Sequence, residues 1–301
     1  MIYGVSVVFW SLLMALGIVW GSSFYAVSVA LHDFKPMQIA AGRILIGAFI
    51  LTVLCFICGD GLPSFARGQR RVWLYSFGMG AFTNAIPFSL LSWAQTDVSS
   101  SFAGVTMSLV PFITLSFAHF FILNEKLSLK KMFGLVVGFC GVLILFDFFN
   151  SQNQWIGFEG WKFKLACAGA AICYSVGAII TRRSPATSKL GFSSAGLLAG
   201  TIIILPMTMF IDGFPTFFGV KSLFAMAYLG LLPTGLATVI LVIIIKNVGP
   251  TFLSLVNYLV PIWAIIFGVV FNSEEIRVSF LIALVFIFSG MILSQRPSRK
   301  K

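Results

Sequence analysis

One basic side chain falls where an apolar stretch leaves no water to solvate it. It is Arg43, in the run AAGRILIG. Arg43 lies about seven residues into the apolar segment 36–58, roughly 10 Å from its start at 1.5 Å per residue. Burying its charge in hydrocarbon costs at least ~2.5 kcal/mol, so it needs compensation. Attraction of an anionic solute, or pairing with a carboxylate as a gate, would supply it. The competing reading is a guanidinium that snorkels or pins helices through backbone carbonyls. No acid sits in the middle of such a segment: Asp97, Glu125, Asp147, Asp212, Glu274 and Glu275 all fall at segment ends. Proton relays inside a bilayer use a carboxylate or a histidine, which leaves His119 as the candidate for proton sensitivity. A hydrogen-bonded structural histidine is the stronger reading of it.

Uncharged polar residues offer a second chemistry, hydrogen bonding to a polar solute. On a helix through 72–95, Gly80, Asn84 and Pro87 share one face, with Thr83 beside them. A step of 150 residues later, Gly230, Thr234 and Ala237 take the same places, with Pro233 alongside. Asn257 precedes Pro261 by about one turn, with Tyr258 adjacent, and Ser108 precedes Pro111 in the matching place. Proline frees a backbone carbonyl of the preceding turn, which is tolerated where a cavity or a neighbouring helix satisfies it. Trp20 and Tyr174 occupy similar places in the first and sixth segments, where an aromatic ring lines an apolar pocket or stacks on a cation. Trp20, Asn84, Ser108, Tyr174, Thr234, Asn257 and Tyr258 are thus the expected solute-binding residues, with interhelical hydrogen bonding and core packing as the alternatives.

Elements that could position these residues must be membrane helices. The chain of 301 residues is 59% hydrophobic and 10% charged, with 33 Phe and a mean hydropathy of +1.01. A water-soluble domain carries about 25% charged residues. Ten apolar segments are read, at 5–31, 36–58, 72–95, 99–123, 127–149, 162–182, 190–212, 220–246, 249–272 and 277–295. Each is near or above the ~20 residues a helix needs to span hydrocarbon. The first lacks the basic start and the small-residue cleavage site of a signal peptide, so it is expected to remain as a span. The net charge of +11 is distributed as a topology signal and not as a nucleic-acid footprint. Arg67, Arg70, Arg71, Lys126, Lys130, Lys131, Arg182, Arg183, Lys189, Lys246, Arg296, Arg299, Lys300 and Lys301 fall on one side; Lys35, Lys162, Lys164, Lys221 and Arg277 fall on the other. That bias puts both termini in the cytoplasm by the positive-inside rule. Cys55, Cys58, Cys140, Cys167 and Cys173 lie within the segments and read as packing residues, with no disulfide, metal or other cofactor expected.

The chain also repeats itself. At a fixed step of 150, Val98/Val248, Phe102/Phe252, Leu109/Leu259, Val110/Val260, Pro111/Pro261, Phe117/Phe267, Phe121/Phe271 and Glu125/Glu275 are identical. Two halves, 1–149 and 150–301, then hold five segments each. An odd number inverts the second half in the membrane, and Glu125 and Glu275 fall on opposite sides accordingly. The expected fold is all-α and integral to the membrane, with ten transmembrane helices as two inverted five-helix repeats. Gly17xxxGly21, Gly134xxxGly138 and Gly196xxxGly200 are expected to let helices approach closely.

These residues carry a family resemblance. Trp20-Gly21-Ser22-Ser23-Phe24, Pro36, Arg43, Val110-Pro111 with Glu125-Lys126-Leu127-Ser128, then Gly134, Gly138 and Gly141 occur in the first half. Pro261 and Glu275 repeat the pattern, with one extra residue before Ser279. In order and duplication the chain resembles the drug/metabolite transporter superfamily, specifically its ten-span EamA-type members. The resemblance implies movement of small metabolites, often amino acids or related compounds, through a central cavity lined by spans 1, 3, 4, 6, 8 and 9. It implies a multi-pass plasma-membrane protein, the inner membrane of a bacterium, whose partners are a small-molecule metabolite and the lipid bilayer. Export by a monomer is the expectation. A lipid or lipid-carrier translocase on the same fold is the alternative, and would show a lateral apolar opening. An intramembrane enzyme would need paired aspartates, a serine with a base, or a His-rich zinc motif, and none appears. No ring of charge or filter-like loop points to a channel.

Overall fold

The computed structural model describes residues 6–66, 70–121, 129–145, 158–275 and 278–295. Among them all regular structure is helical, in ten runs that follow the ten apolar segments. These are α1 (Val7–Ala30), α2 (Pro36–Ile57), α3 (70–94), α4 (100–121), α5 (Leu129–Leu145), α6 (Phe158–Arg183), α7 (Lys189–Ile211), α8 (Val220–Asn247), α9 (Pro250–Asn272) and α10 (Val278–Gln295). Seven of them, α1, α2, α4, α6, α7, α8 and α9, contain stretches long and apolar enough to cross a membrane. The apolar parts of α5 and α10 are shorter. Ten helical runs thus follow the ten apolar segments, and length and composition qualify seven of them as able to span.

Local sequence sets the starts and breaks. Ser6, Ser99 and Ser188 cap α1, α4 and α7, each hydroxyl accepting a bond from a free N–H of the first turn. Pro36 opens α2, where its missing N–H costs nothing. Gly249, at φ 120, allows the sharp reversal between α8 and α9. Both α3 and α8 pass through a π-helical stretch, at Gly80–Ala85 and Gly230–Leu236. Pro87 and Pro233 interrupt the normal ladder there, and the wider turn absorbs the mismatch. α4 and α9 each contain a turn as well, at Met107–Ser108 and Ser254–Leu255, ahead of Pro111 and Pro261. Distortions therefore recur with the sequence repeat.

The halves interlock. α5 packs on α10 and α2 on α7. The pairs α1–α9, α1–α8 and α2–α8 have counterparts in α6–α4, α6–α3 and α7–α3 when the halves are exchanged. Glycine permits the closest of these contacts. A Cβ on Gly80 would lie 2.5 Å from both the Gly196 carbonyl and the Gly200 nitrogen, so α3 and α7 touch backbone to backbone. A Cβ on Gly290 would collide with Gly134 and Gly138 in the same way. Large apolar side chains such as Phe49, Phe210 and Phe224 face outward. Arg43, Ser76, Asn84 and Thr234 are inside. Large apolar side chains on the outside suit a lipid solvent.

Carboxylates tie the halves together at helix starts. Asp212 accepts from the Met37 N–H in the first turn of α2 (2.8 Å), and Asp33 from the Gly219 N–H that begins α8 (2.9 Å). Glu274 accepts from the backbone N–H groups of Ser100 (2.9 Å) and Ser101 (3.0 Å) and from both their hydroxyls at the start of α4. Asp60 accepts from the hydroxyl of Ser188, the cap of α7 (2.6 Å). A carboxylate is favoured at each position by the partial positive charge of a helix N-terminus.

Candidate functional site

A central cavity runs between the halves. α1 lines it with Trp20, Ser23, Phe24 and Val27, and α3 with Thr83, Asn84, Phe88 and Leu91 and with Gln95, the cap just past its end. α4 adds Met107, Val110 and Thr114, and α6 adds Tyr174 and Ala178. From α8 come Pro233, Thr238 and Leu241, and from α9 Pro250, Leu253, Ser254, Asn257 and Val260. The six helices implied by the family resemblance all line it, joined by α2 through Arg43 alone. The cavity volume is about 80 Å³, several times the minimum for one water.

Helix spacing explains the α3 wall. Asn84, Phe88, Leu91 and Gln95 follow one another at steps of three and four residues, so they form one stripe. Arg43 reaches this stripe from α2 and is 4% exposed. Its Nε donates to the Thr234 hydroxyl at 2.8 Å, and its guanidinium lies over the Phe88 ring, 3.7 Å from the centroid. Tyr174 meets Phe88 edge-on, with centroids 6.4 Å apart. On the α1 side, the Trp20 indole N–H donates to the Pro233 carbonyl at 3.2 Å. Arg43 and Trp20, both of the first half, are thus held by neighbouring residues of α8 in the second.

Polar atoms in the wall are left over. Thr83 Oγ1, Asn84 Nδ2 and Gln95 Oε1 are buried without a hydrogen-bond partner among the described residues. Arg43 has no carboxylate among its partners there, and its two terminal amino groups have none. Asn257 Nδ2 donates to the Ser254 carbonyl at 3.2 Å, leaving its carbonyl oxygen outside that bond. Buried polar atoms are almost always satisfied, so three orphans in side chains around one cavity stand out.

Of the residues expected from sequence, Trp20, Arg43, Asn84, Tyr174 and Asn257 share this wall. Thr234 lies behind it as the acceptor for Arg43. Ser108 is buried away from the wall and donates to the Val105 carbonyl at 2.6 Å. Tyr258 faces an outer groove with Trp10, Met14 and Ile292. The His119 side chain lies outside the described residues, as do Glu125 and Asp147. Sequence reasoning missed Gln95 and Phe88. Their spacing from Asn84 on a single helical face is the signal that would have found them.

Comparison with known proteins adds the decisive observation. The model of the EamA-like transporter family matches residues 7–147 and 162–295. The chain belongs to the EamA-like transporter family. This EamA-like chain is 23% identical to the transporter YoaV of Bacillus subtilis over 94% of each chain. It is 26% identical to the protein PecM of Dickeya dadantii, over 92% of this chain and 89% of PecM. The inner membrane transporter YedA of Escherichia coli is 24% identical, over 94% of this chain and 89% of YedA. A solved crystal structure superposes with a TM-score of 0.72 at 21% identity, covering 96% of this chain and 98% of that one, so the fold is shared. The EamA-like chain is accordingly a multi-pass membrane protein of a transporter family.

Proposed function

We propose that this EamA-like protein is a secondary transporter that exports small metabolites, amino acids or related compounds, by alternating access. Its ten helices act as ten spans in two inverted five-helix repeats, 1–149 and 150–301, with both termini cytoplasmic. The observation that carries the reading is the central cavity, walled by helices of both halves, with Arg43 and three unpartnered polar atoms among its lining side chains. A solute there is gripped by both repeats at once, and exchanging their shapes moves the opening from one side to the other. Trp20, Asn84, Tyr174 and Asn257 form the binding wall, and Arg43 is its anion-attracting group. The loop charge bias supports the orientation, and the kinks shared by α3/α8 and α4/α9 support the repeat.

Metabolite profiling of cells with and without the protein, followed by flux in proteoliposomes under an imposed pH gradient, tests the reading. A solute-specific flux that needs the protein is expected. Asn84→Ala and Asn257→Ala should each lower it severalfold while the protein still inserts in the membrane. Absence of any solute-specific flux in either direction sinks the carrier reading, and unaltered flux in both variants sinks the binding wall.

A further inference from the structure

We infer that the ligand of the central cavity is a small monocarboxylate with an apolar, ring-sized body, recognised through Arg43, and that cations are refused. The inference rests on the carrier reading for transport, and on the cavity wall alone for recognition. A guanidinium has five N–H donors. Arg43 spends its Nε–H on Thr234 and one face on Phe88, which leaves both terminal amino groups without a partner among the described residues. Phe88 and Thr234 fix the plane of the fork, so the remaining donors are preorganised for a bidentate acceptor. Asn84, one turn from Phe88 on the same stripe, keeps a buried Nδ2 without a partner among the described residues.

Charge decides among acceptors. Arg43 is the one charged side chain among the described residues of the wall. In this low-dielectric setting a cation meets unscreened repulsion, and a dianion brings a second charge with nothing to match it. A single carboxylate balances the site. Body shape follows from the rest of the stripe. Gln95 is two turns beyond Phe88, about 10 Å along the axis, and its Oε1 is unpartnered. Leu91 lies between them, with the Trp20 and Tyr174 rings also in the wall. An α-ammonium beside a carboxylate held at Arg43 is far short of Gln95.

The test is equilibrium binding to the purified full-length protein in detergent, read by thermal unfolding and tryptophan fluorescence. Its probes are 3-phenylpropionate, 3-phenylpropionamide, 2-phenylethylammonium and inorganic phosphate. The carboxylate should bind saturably, the amide at least tenfold more weakly, and the ammonium and phosphate not at all. Arg43→Gln should erase the difference between acid and amide. Should that variant fail to fold, the comparison within the unaltered protein still decides. Equal binding of amide and acid, binding of the ammonium, or no binding of the carboxylate overturns the inference. Carboxylate binding with no flux in proteoliposomes would sink the carrier reading and leave this one standing. Flux of the ammonium would do the reverse.

Discussion

Arg43 and Thr234 stand 191 residues apart in sequence, yet each explains the other. A buried guanidinium in this position needs an acceptor for its Nε–H, and Thr234, fully buried, supplies it. Thr234→Val keeps the volume and removes the acceptor. It should lower unfolding stability by about 1.5–3 kcal/mol, the range for a hydrogen bond to a charged group, while Thr234→Ser retains most of it. Chemical unfolding of the two variants in detergent measures this, and a valine variant as stable as the parent would remove Thr234 from the account. Sequence reading singled out both residues, Arg43 by charge in an apolar run and Thr234 by its match to Asn84. Their pairing was not legible, because α2 and α8 meet only through tertiary packing. Gln95 went unseen for a different reason: in the last turn before a loop, a glutamine reads as an ordinary boundary residue.

Among elements, the contact between the α9–α10 loop and the start of α4 shows how a repeat can point one residue astray. Glu275 drew attention by matching Glu125, but Glu274 makes the contact. Ser273 adopts a left-handed conformation at φ 50, and the Glu274 N–H closes the turn on the Gly268 carbonyl at 3.1 Å. That turn accompanies the placement of Glu274 against Ser100 and Ser101. Burial pushes the Glu274 pKa up, but hydrogen bonds from Ser100, Ser101 and Asn272 outweigh it, and the net shift is downward. A lowered folded pKa means stabilisation that is complete above the unfolded value, about 4.3 for glutamate, and lost as pH falls through the folded one. Glu274→Gln should therefore unfold more easily at pH 7, by about 1–3 kcal/mol. The gap to the parent should close as pH drops below about 4. A gap that stays constant down to acid pH would mean that the carboxylate charge is not what holds α4. The small-residue motifs were legible in the same partial way. Gly134xxxGly138 and Gly196xxxGly200 were visible, whereas their partners Gly290 and Gly80 became evident only from the packing.

At the scale of the whole molecule the step of 150 in sequence reappears as matched helix pairs and matched kinks. It reappears too as matched contacts: Asp212 on the start of α2 corresponds, within two residues of that step, to Asp60 on the start of α7. If the repeats are inverted, contacts related in this way lie at opposite ends of the bundle, and a carrier must open each end in turn. Locking either end should then stop transport equally. In a background with the five native cysteines replaced, Asp60→Cys with Ser188→Cys locks one end, and Glu274→Cys with Ser100→Cys locks the other. Each pair is joined by a short, reducible bifunctional thiol reagent. Proteoliposome flux should fall to background in each locked protein and return on reduction. A static pore or a rigid scaffold has no reason to respond to both locks alike. Full flux with either end locked would separate the duplication from the transport mechanism, because the halves would then not need to exchange shapes for a solute to cross.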